Sequence, residues 1–292
     1  MKVNLAAALL FIAASVLSAG NPTGFRLRGE NAGQKGWAYQ GMDIHGRYVL
    51  SLQNQGAATL YKLGRDSMQR VSSFHLGSFG KFNHSNVASF GVERVAKGDP
   101  FPVVYVSHCH RKPYDGMKDV CYVERILPGL GASELVQTIH YDDTVGDFGY
   151  ALQWVVDRTH GMLYGYGNTI NNSDSLNRHR IIKFRLPSLS EGKLVILKPE
   201  DALEDYLIED ACGISFQVIG QGLYVKNGKL YMPTGLDTQK HPADLYIWDL
   251  RSHVMQVRSL SGSSTGEPED CSFMGRRFFV QTQDGVFEVK GI

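Results

Sequence analysis

The pattern that most constrains this chain is a strand, a glycine turn and a second strand, met five times. Its clearest copy is Gln221-Gly222-Leu223-Tyr224-Val225-Lys226-Asn227-Gly228-Lys229-Leu230-Tyr231-Met232-Pro233. Two runs of β-forming residues flank Asn-Gly, the dipeptide that suits a tight hairpin because its central residues accept positive φ. The same order runs through Gln40-Gly41-Met42-Asp43-Ile44-His45-Gly46-Arg47-Tyr48-Val49-Leu50. It recurs where His84-Ser85-Asn86-Val87 precedes Val103-Val104-Tyr105-Val106, and where Gln153-Trp154-Val155-Val156 precedes Met162-Leu163-Tyr164. A fifth copy joins Glu269-Asp270-Cys271-Ser272-Phe273 to Arg277-Phe278-Phe279-Val280. A lone hairpin is marginal in water, so repeated ones must stack to bury their faces.

Each copy opens a unit with further short apolar segments. Unit one predicts strands at 41–44, 48–53, 58–63 and 70–74. Unit two opens at His84 and continues at 103–108, 120–126 and 134–140. Unit three opens at Gln153, with 163–166, 180–184 and 193–197. Unit four opens at Gln221, with 229–233, 244–249 and 254–260. Unit five has only 270–273, 277–281 and 286–289, and Phe25-Arg26-Leu27-Arg28 supplies its missing strand from the other end of the chain. Four-stranded units of this spacing read as an all-β fold, a five-bladed β-propeller closed by an N-terminal strand. Such closure removes an exposed sheet edge. A β-sandwich is the alternative, and only 199–207 comes near a helical period.

The first residues pair one basic side chain with a short apolar run ending in Ser18-Ala19-Gly20, the form of a secretory signal peptide over 1–19. The expectation is an exported chain, periplasmic or extracellular and monomeric, with a single domain over 20–292. No later run approaches a membrane span. Without Lys2, 30 − 1 = 29 basic residues face 29 acidic ones, which argues against a nucleic-acid partner. Four cysteines suit an oxidising compartment, and Cys109 with Cys121 across a hairpin loop predicts a disulfide. No spacing resembles a zinc site, so neither metal nor cofactor is expected. Asn83 and Asn171 each head an Asn-x-Ser sequon.

Propeller geometry converts this alignment into a site. The residue that opens each innermost strand and the residue that closes the next strand share one rim. The openers are Gln40, His84, Gln153, Gln221 and Glu269; the closers are Gln53, His108, Tyr166, Thr234 and Gln281. Long polar loops carrying His110, Arg111 and Lys112, residues 168–177, and residues 237–241 fall on that face. The site residues expected for a ligand are Gln40, His84, His108, Gln153, Tyr166, Gln221 and Glu269. Amides suit sugar hydroxyls, being both donor and acceptor, and Tyr166 or Trp154 offers a ring face. His84, His108 and His110 suit acid–base work near neutral pH. Glu269 with His84 is the pair expected if the chain cleaves a glycan.

The openings Gln40-Gly41-Met42-Asp43-Ile44 and His84-Ser85-Asn86-Val87 resemble those of the propeller found in teichoic-acid-biosynthesis protein C and in phage receptor-binding proteins. The resemblance implies a secreted bacterial propeller that binds cell-surface glycan. The Asp/Asp/Glu context of five-bladed glycosidases is missing. The leading expectation is therefore an exported propeller binding a polar ligand, a carbohydrate, at its channel mouth. A glycan-cleaving hydrolase or lyase and a protein-interaction scaffold are the alternatives.

Overall fold

The computed structural model describes residues 23–26, 37–109, 117, 119–142, 152–170 and 174–292. Their strands form five antiparallel-cored sheets around a common axis, a five-bladed β-propeller. Blade one holds Tyr39–His45, Tyr48–Gln53, Ala57–Leu63 and Met68–His75, in chain order from the axis outward. Blade four has the same plan over Tyr224–Lys226, Lys229–Thr234, Asp244–Asp249 and Met255–Ser259. In blade five, Pro268–Met274, Arg277–Thr282 and Gly285–Val289 are completed by Thr23–Arg26, which pairs antiparallel with the last of them. The chain thus closes its ring with a strand from each end, as expected.

Ring closure is visible in the packing. A blade is covered on both faces, so its strands are apolar on both sides of the pleat, and alternate residues serve opposite neighbours. Trp154 and Val156 pack toward blade two, and Val155 between them packs toward blade four. Five apolar clusters result, one at each interface, and the fifth joins Met42, Val49 and Tyr61 of blade one to Phe279 and Val286 of blade five.

Two assignments change. Residues Leu194–Leu197, expected as the outer strand of unit three, instead add to blade two, pairing parallel with Ser133–Tyr141. The outer strand of blade three is Glu204–Leu207, within the segment read as nearly helical; only a 3-10 turn at Pro199–Asp201 precedes it. An apolar alternation specifies a strand and leaves its partner open, and here Val195 and Leu197 find their burial in the interface between blades two and three. The expected Cys109–Cys121 disulfide is not formed, and all four cysteines are thiols. Cys121 pairs with Ser107, two residues before Cys109. Such a diagonal leaves the two residues roughly 7–8 Å apart, beyond the roughly 4.4–6.8 Å between α-carbons that a disulfide spans. Among the described residues no helix is long and apolar enough to cross a membrane.

Candidate functional site

The innermost strands approach the axis closely, and two glycines permit it. A β-carbon on Gly41 would lie 2.7 Å from the Ser85 carbonyl oxygen, and one on Gly222 would lie 2.5 Å from the Cα of Asp270. Where the strands converge, their inward amides need acceptors. Asp270 supplies them. Its buried carboxylate accepts backbone N–H groups from Met42 at 2.8 Å, Ala88 at 3.2 Å, Leu223 at 3.1 Å and Cys271 at 2.8 Å. One side chain thereby ties blades one, two, four and five. Burial pushes this carboxyl well above its usual range, and the four amide donors pull against that rise.

Nearer the hairpin turns a second carboxylate gathers the blades. Asp43 accepts the Phe90 N–H at 2.6 Å, the Ser272 hydroxyl at 2.6 Å and Arg158 Nη2 at 2.5 Å. Arg158 Nη2 also lies 3.4 Å from the Tyr224 hydroxyl. These contacts tie blades two, five and three to Asp43 of blade one, and Tyr224 of blade four joins them through Arg158.

Above these two levels lies the rim formed by the strand openers. Gln153 of blade three donates to Asn86 Oδ1 of blade two at 2.5 Å and to the Gln221 carbonyl of blade four at 3.1 Å. Gln221 donates to Glu267 Oε1 of blade five at 2.7 Å. In blade five, Gln283 donates to Glu269 Oε1 and, at 3.0 Å, to the Tyr39 carbonyl of blade one. Gln281 donates to the Gln40 carbonyl at 2.6 Å. The Gly41 N–H donates to the Ser85 carbonyl at 2.8 Å and completes the circuit. Burial raises both rim carboxyls: Glu267 is opposed by the Gln221 donor, and Glu269, raised further, is opposed by Gln283 and reinforced by Glu267 and Asp270.

Four of the five openers, Gln40, Gln153, Gln221 and Glu269, are 3–8% exposed and belong to this inter-blade network. His84 is half-buried and turns instead to Asn54, with Nδ1 at 2.7 Å from Oδ1. His108 is fully buried, its Nδ1 3.1 Å from the Tyr122 hydroxyl. The backbone joins the two histidines, the His84 N–H donating to the His108 carbonyl at 3.0 Å. His110, Arg111, Lys112 and the sequon at Asn171 lie outside the described residues, as does the segment 1–19. Asn83 is buried and bonded to Ser78 and Ser85. Tyr166 and Trp154 are buried, the first stacked on His179 and the second inside the interface between blades two and three.

Sequence reasoning missed three groups. Asp43 and Asp270 are charged residues set between buried apolar neighbours, and such residues are buried only when bonded. That signal was present. Arg158 reads as an ordinary turn residue and carried none. The third is His179, whose Nδ1 lies 2.6 Å from Glu209 Oε1 while its ring is sandwiched between Tyr166 and Phe216. An open cleft of about 710 Å³ sits on the outer edge of blade three, beside Arg180, Asp205, Tyr206 and His253. Its charges are already paired, Arg180 with Asp205 at 2.5 Å.

No family model matches the chain, and no curated protein matches it. Among solved structures it is similar to the tail fiber of Staphylococcus aureus phage P68, with a TM-score of 0.50 and 13% identity over 88% of this chain. The chain spans about half of that tail fiber, 50% of its length. It is also similar to a structural genomics protein of unknown function from Bacteroides thetaiotaomicron VPI-5482, with a TM-score of 0.47 and 12% identity, covering 92% of this chain and 74% of that one. The class that fold and axis define is a five-bladed β-propeller. Its likeness to the tail fiber, at this identity, is one of fold.

Proposed function

We propose that this protein is an exported propeller that binds a hydroxyl-rich ligand, a saccharide, over the rim of its channel. The observation that carries the reading is the polar circuit from Asn86 through Gln153, Gln221 and Glu267 to Glu269, with amide and carboxyl groups drawn from several blades to one mouth. Concave sites with convergent polar groups are where small ligands bind. Gln40, Gln153, Gln221 and Glu269 form the floor, and His84 stands at its edge. His108 and Tyr166 hold that floor from beneath. Export rests on the form of residues 1–19.

A ligand that binds only the folded state raises the melting temperature. A saccharide panel read by thermal shift is therefore the test. At least one oligosaccharide is expected to raise the midpoint by several degrees, and a Gln153→Ala variant to lose that rise. A broad panel without any shift contradicts the proposal. The second reading is glycan cleavage with Glu269 as general acid, favoured by the burial that keeps its carboxyl pKa high. Product released from a bound oligosaccharide, and abolished by Glu269→Gln, would establish it.

A further inference from the structure

The open cleft of about 710 Å³ on the outer wall lies where blades three and four adjoin. Three of its lining residues, Asp205, Tyr206 and Leu207, are consecutive in the outer strand Glu204–Leu207. Successive side chains of a strand point to opposite faces, so a cleft that touches all three passes over the strand's free edge. Among the described residues no strand pairs with that edge. The 3-10 turn Pro199–Asp201 and the helix Ile208–Cys212 bracket it. Four residues make a poor template for an added peptide strand.

The rings of the cleft come from both blades. His253, in the turn after Asp244–Asp249, has a φ of 56° and stacks on Trp248, the ring centroids 5.5 Å apart and the planes 10° apart. The Asp249 carboxylate accepts the Arg251 and Ser252 N–H groups and so sets this turn. The Tyr206 ring lies 5.1 Å from the His253 ring. Both residues are half-buried, so part of each ring meets solvent. The Tyr206 hydroxyl accepts the Trp248 indole N–H at 3.0 Å and keeps its own hydrogen to donate. Burial pushes the Tyr206 pKa up to about 12, so this donor persists through neutral pH.

The polar side of the cleft carries paired charges. Arg180 donates to Asp205 twice, Nε to Oδ1 at 2.7 Å and Nη2 to Oδ2 at 2.5 Å, and Asp210 is paired with Arg178. The Asp205 side chain nevertheless keeps 36% of its exposure and that of Asp210 67%, so both present carboxylate oxygens to solvent. A carboxylate has about four lone-pair sites, more than one arginine takes up. An ion would compete with a partner already in place. A neutral molecule with hydroxyls on its edge and C–H groups on its faces would not.

We propose that this cleft is a second saccharide site, separate from the rim, and that it takes a neutral oligosaccharide. The chain of sugars lies across the strand edge. The C–H face of one ring packs on Tyr206 and His253, while hydroxyls donate to Asp205 and Asp210 and accept from Tyr206. The site stands whether or not the rim binds a sugar.

Trp248, beneath His253, supplies the signal for the test. Indole fluorescence of the full chain is titrated with neutral tetrasaccharides: β-1,4-linked glucose, N-acetylglucosamine and mannose, and α-1,4-linked glucose. β-1,4-Linked galacturonate is the anionic comparison, and Trp248→Phe identifies the part of the signal that belongs to the cleft. At least one neutral tetramer is expected to change the Trp248 emission and to bind more tightly than the galacturonate. His253→Asn removes the ring with a residue that tolerates positive φ, and is expected to weaken that binding about tenfold. Asp205→Ala, on the polar side, is expected to weaken it too and serves if the first variant folds poorly. No response to any neutral tetramer, or tighter binding of the galacturonate, overturns the second site. So does a response that survives both variants, and so does a dimer in sedimentation that His253→Asn dissolves, which would give the cleft to a second copy of the chain. None of these touches the rim reading, which the Gln153→Ala thermal shift decides.

Discussion

Arg158 Nη2 lies 2.5 Å from Asp43 Oδ2, and this contact joins the hairpin turn of blade three to the innermost strand of blade one. Asp43 is fully buried, whereas the Arg158 side chain keeps 28% of its exposure. Removing one partner of a buried, hydrogen-bonded charge pair costs roughly 3–5 kcal/mol because the other is left uncompensated. Asp43→Ala should reach that range in a denaturant titration, since it strips an acceptor from blades two, three and five at once. Arg158→Met should cost less: Asp43 retains the Phe90 amide and the Ser272 hydroxyl. Equal costs would contradict the assignment of Asp43 as the hub.

Asp270 poses the sharper substitution. Four amide donors converge on its carboxylate, and an asparagine there offers one oxygen and turns an NH2 group toward N–H groups. Asp270→Asn should destabilise the fold by roughly 2–4 kcal/mol, the cost of leaving buried donors unsatisfied. The urea midpoint reads it, and a near-neutral result would remove Asp270 from its structural role.

The thiols make a chemical prediction. Cys109, Cys121 and Cys271 are buried, and burial pushes the Cys109 thiol up to about 12. Thiolates react and thiols do not. Alkylation of the native protein followed by mass spectrometry should modify Cys212 first, and denaturation should release the rest. A reductant should leave the melting temperature unchanged. A reductant-sensitive midpoint would indicate a disulfide.

Acid stability follows from Asp99. The Arg125 guanidinium, 2.8 Å away, holds this carboxyl below its usual value, and burial opposes the shift. A depressed carboxyl contributes stability above its unfolded pKa, about 3.9, and loses that contribution as the pH falls through the folded value. Asp99→Asn should therefore lower stability at neutral pH and flatten the acid limb of the stability curve below about pH 4. An unchanged acid limb would mean that the pair contributes nothing.

Most of the fold was legible because its signals are local. The turns His45-Gly46, Asn227-Gly228 and Met274-Gly275 each carry a glycine at positive φ in the structure, and the strands they join lie within a few residues of the expected limits. The pairing of Thr23–Arg26 with blade five was also legible, since unit five lacked a strand. The partner of Leu194–Leu197 was not, because a strand pattern does not record which edge it joins. The rim glutamines were readable as a repeated position. Their fixed amide orientation was not, since it depends on carbonyls of Trp37, Gln221 and Gln40 that only the folded ring brings near. Arg158 shows the limit most clearly: the four residues of turn sequence between Asp157 and Met162 give no hint that one of them reaches Asp43.

The central claim is that ligand binding belongs to the rim above Asp270. Hydrogen exchange with and without a saturating saccharide found by thermal shift tests it directly. The expected result is added protection at residues 39–42, 84–88, 153–155, 221–223 and 267–271. Protection confined to residues 205–211 and 253, around the outer cleft of blade three, would contradict it.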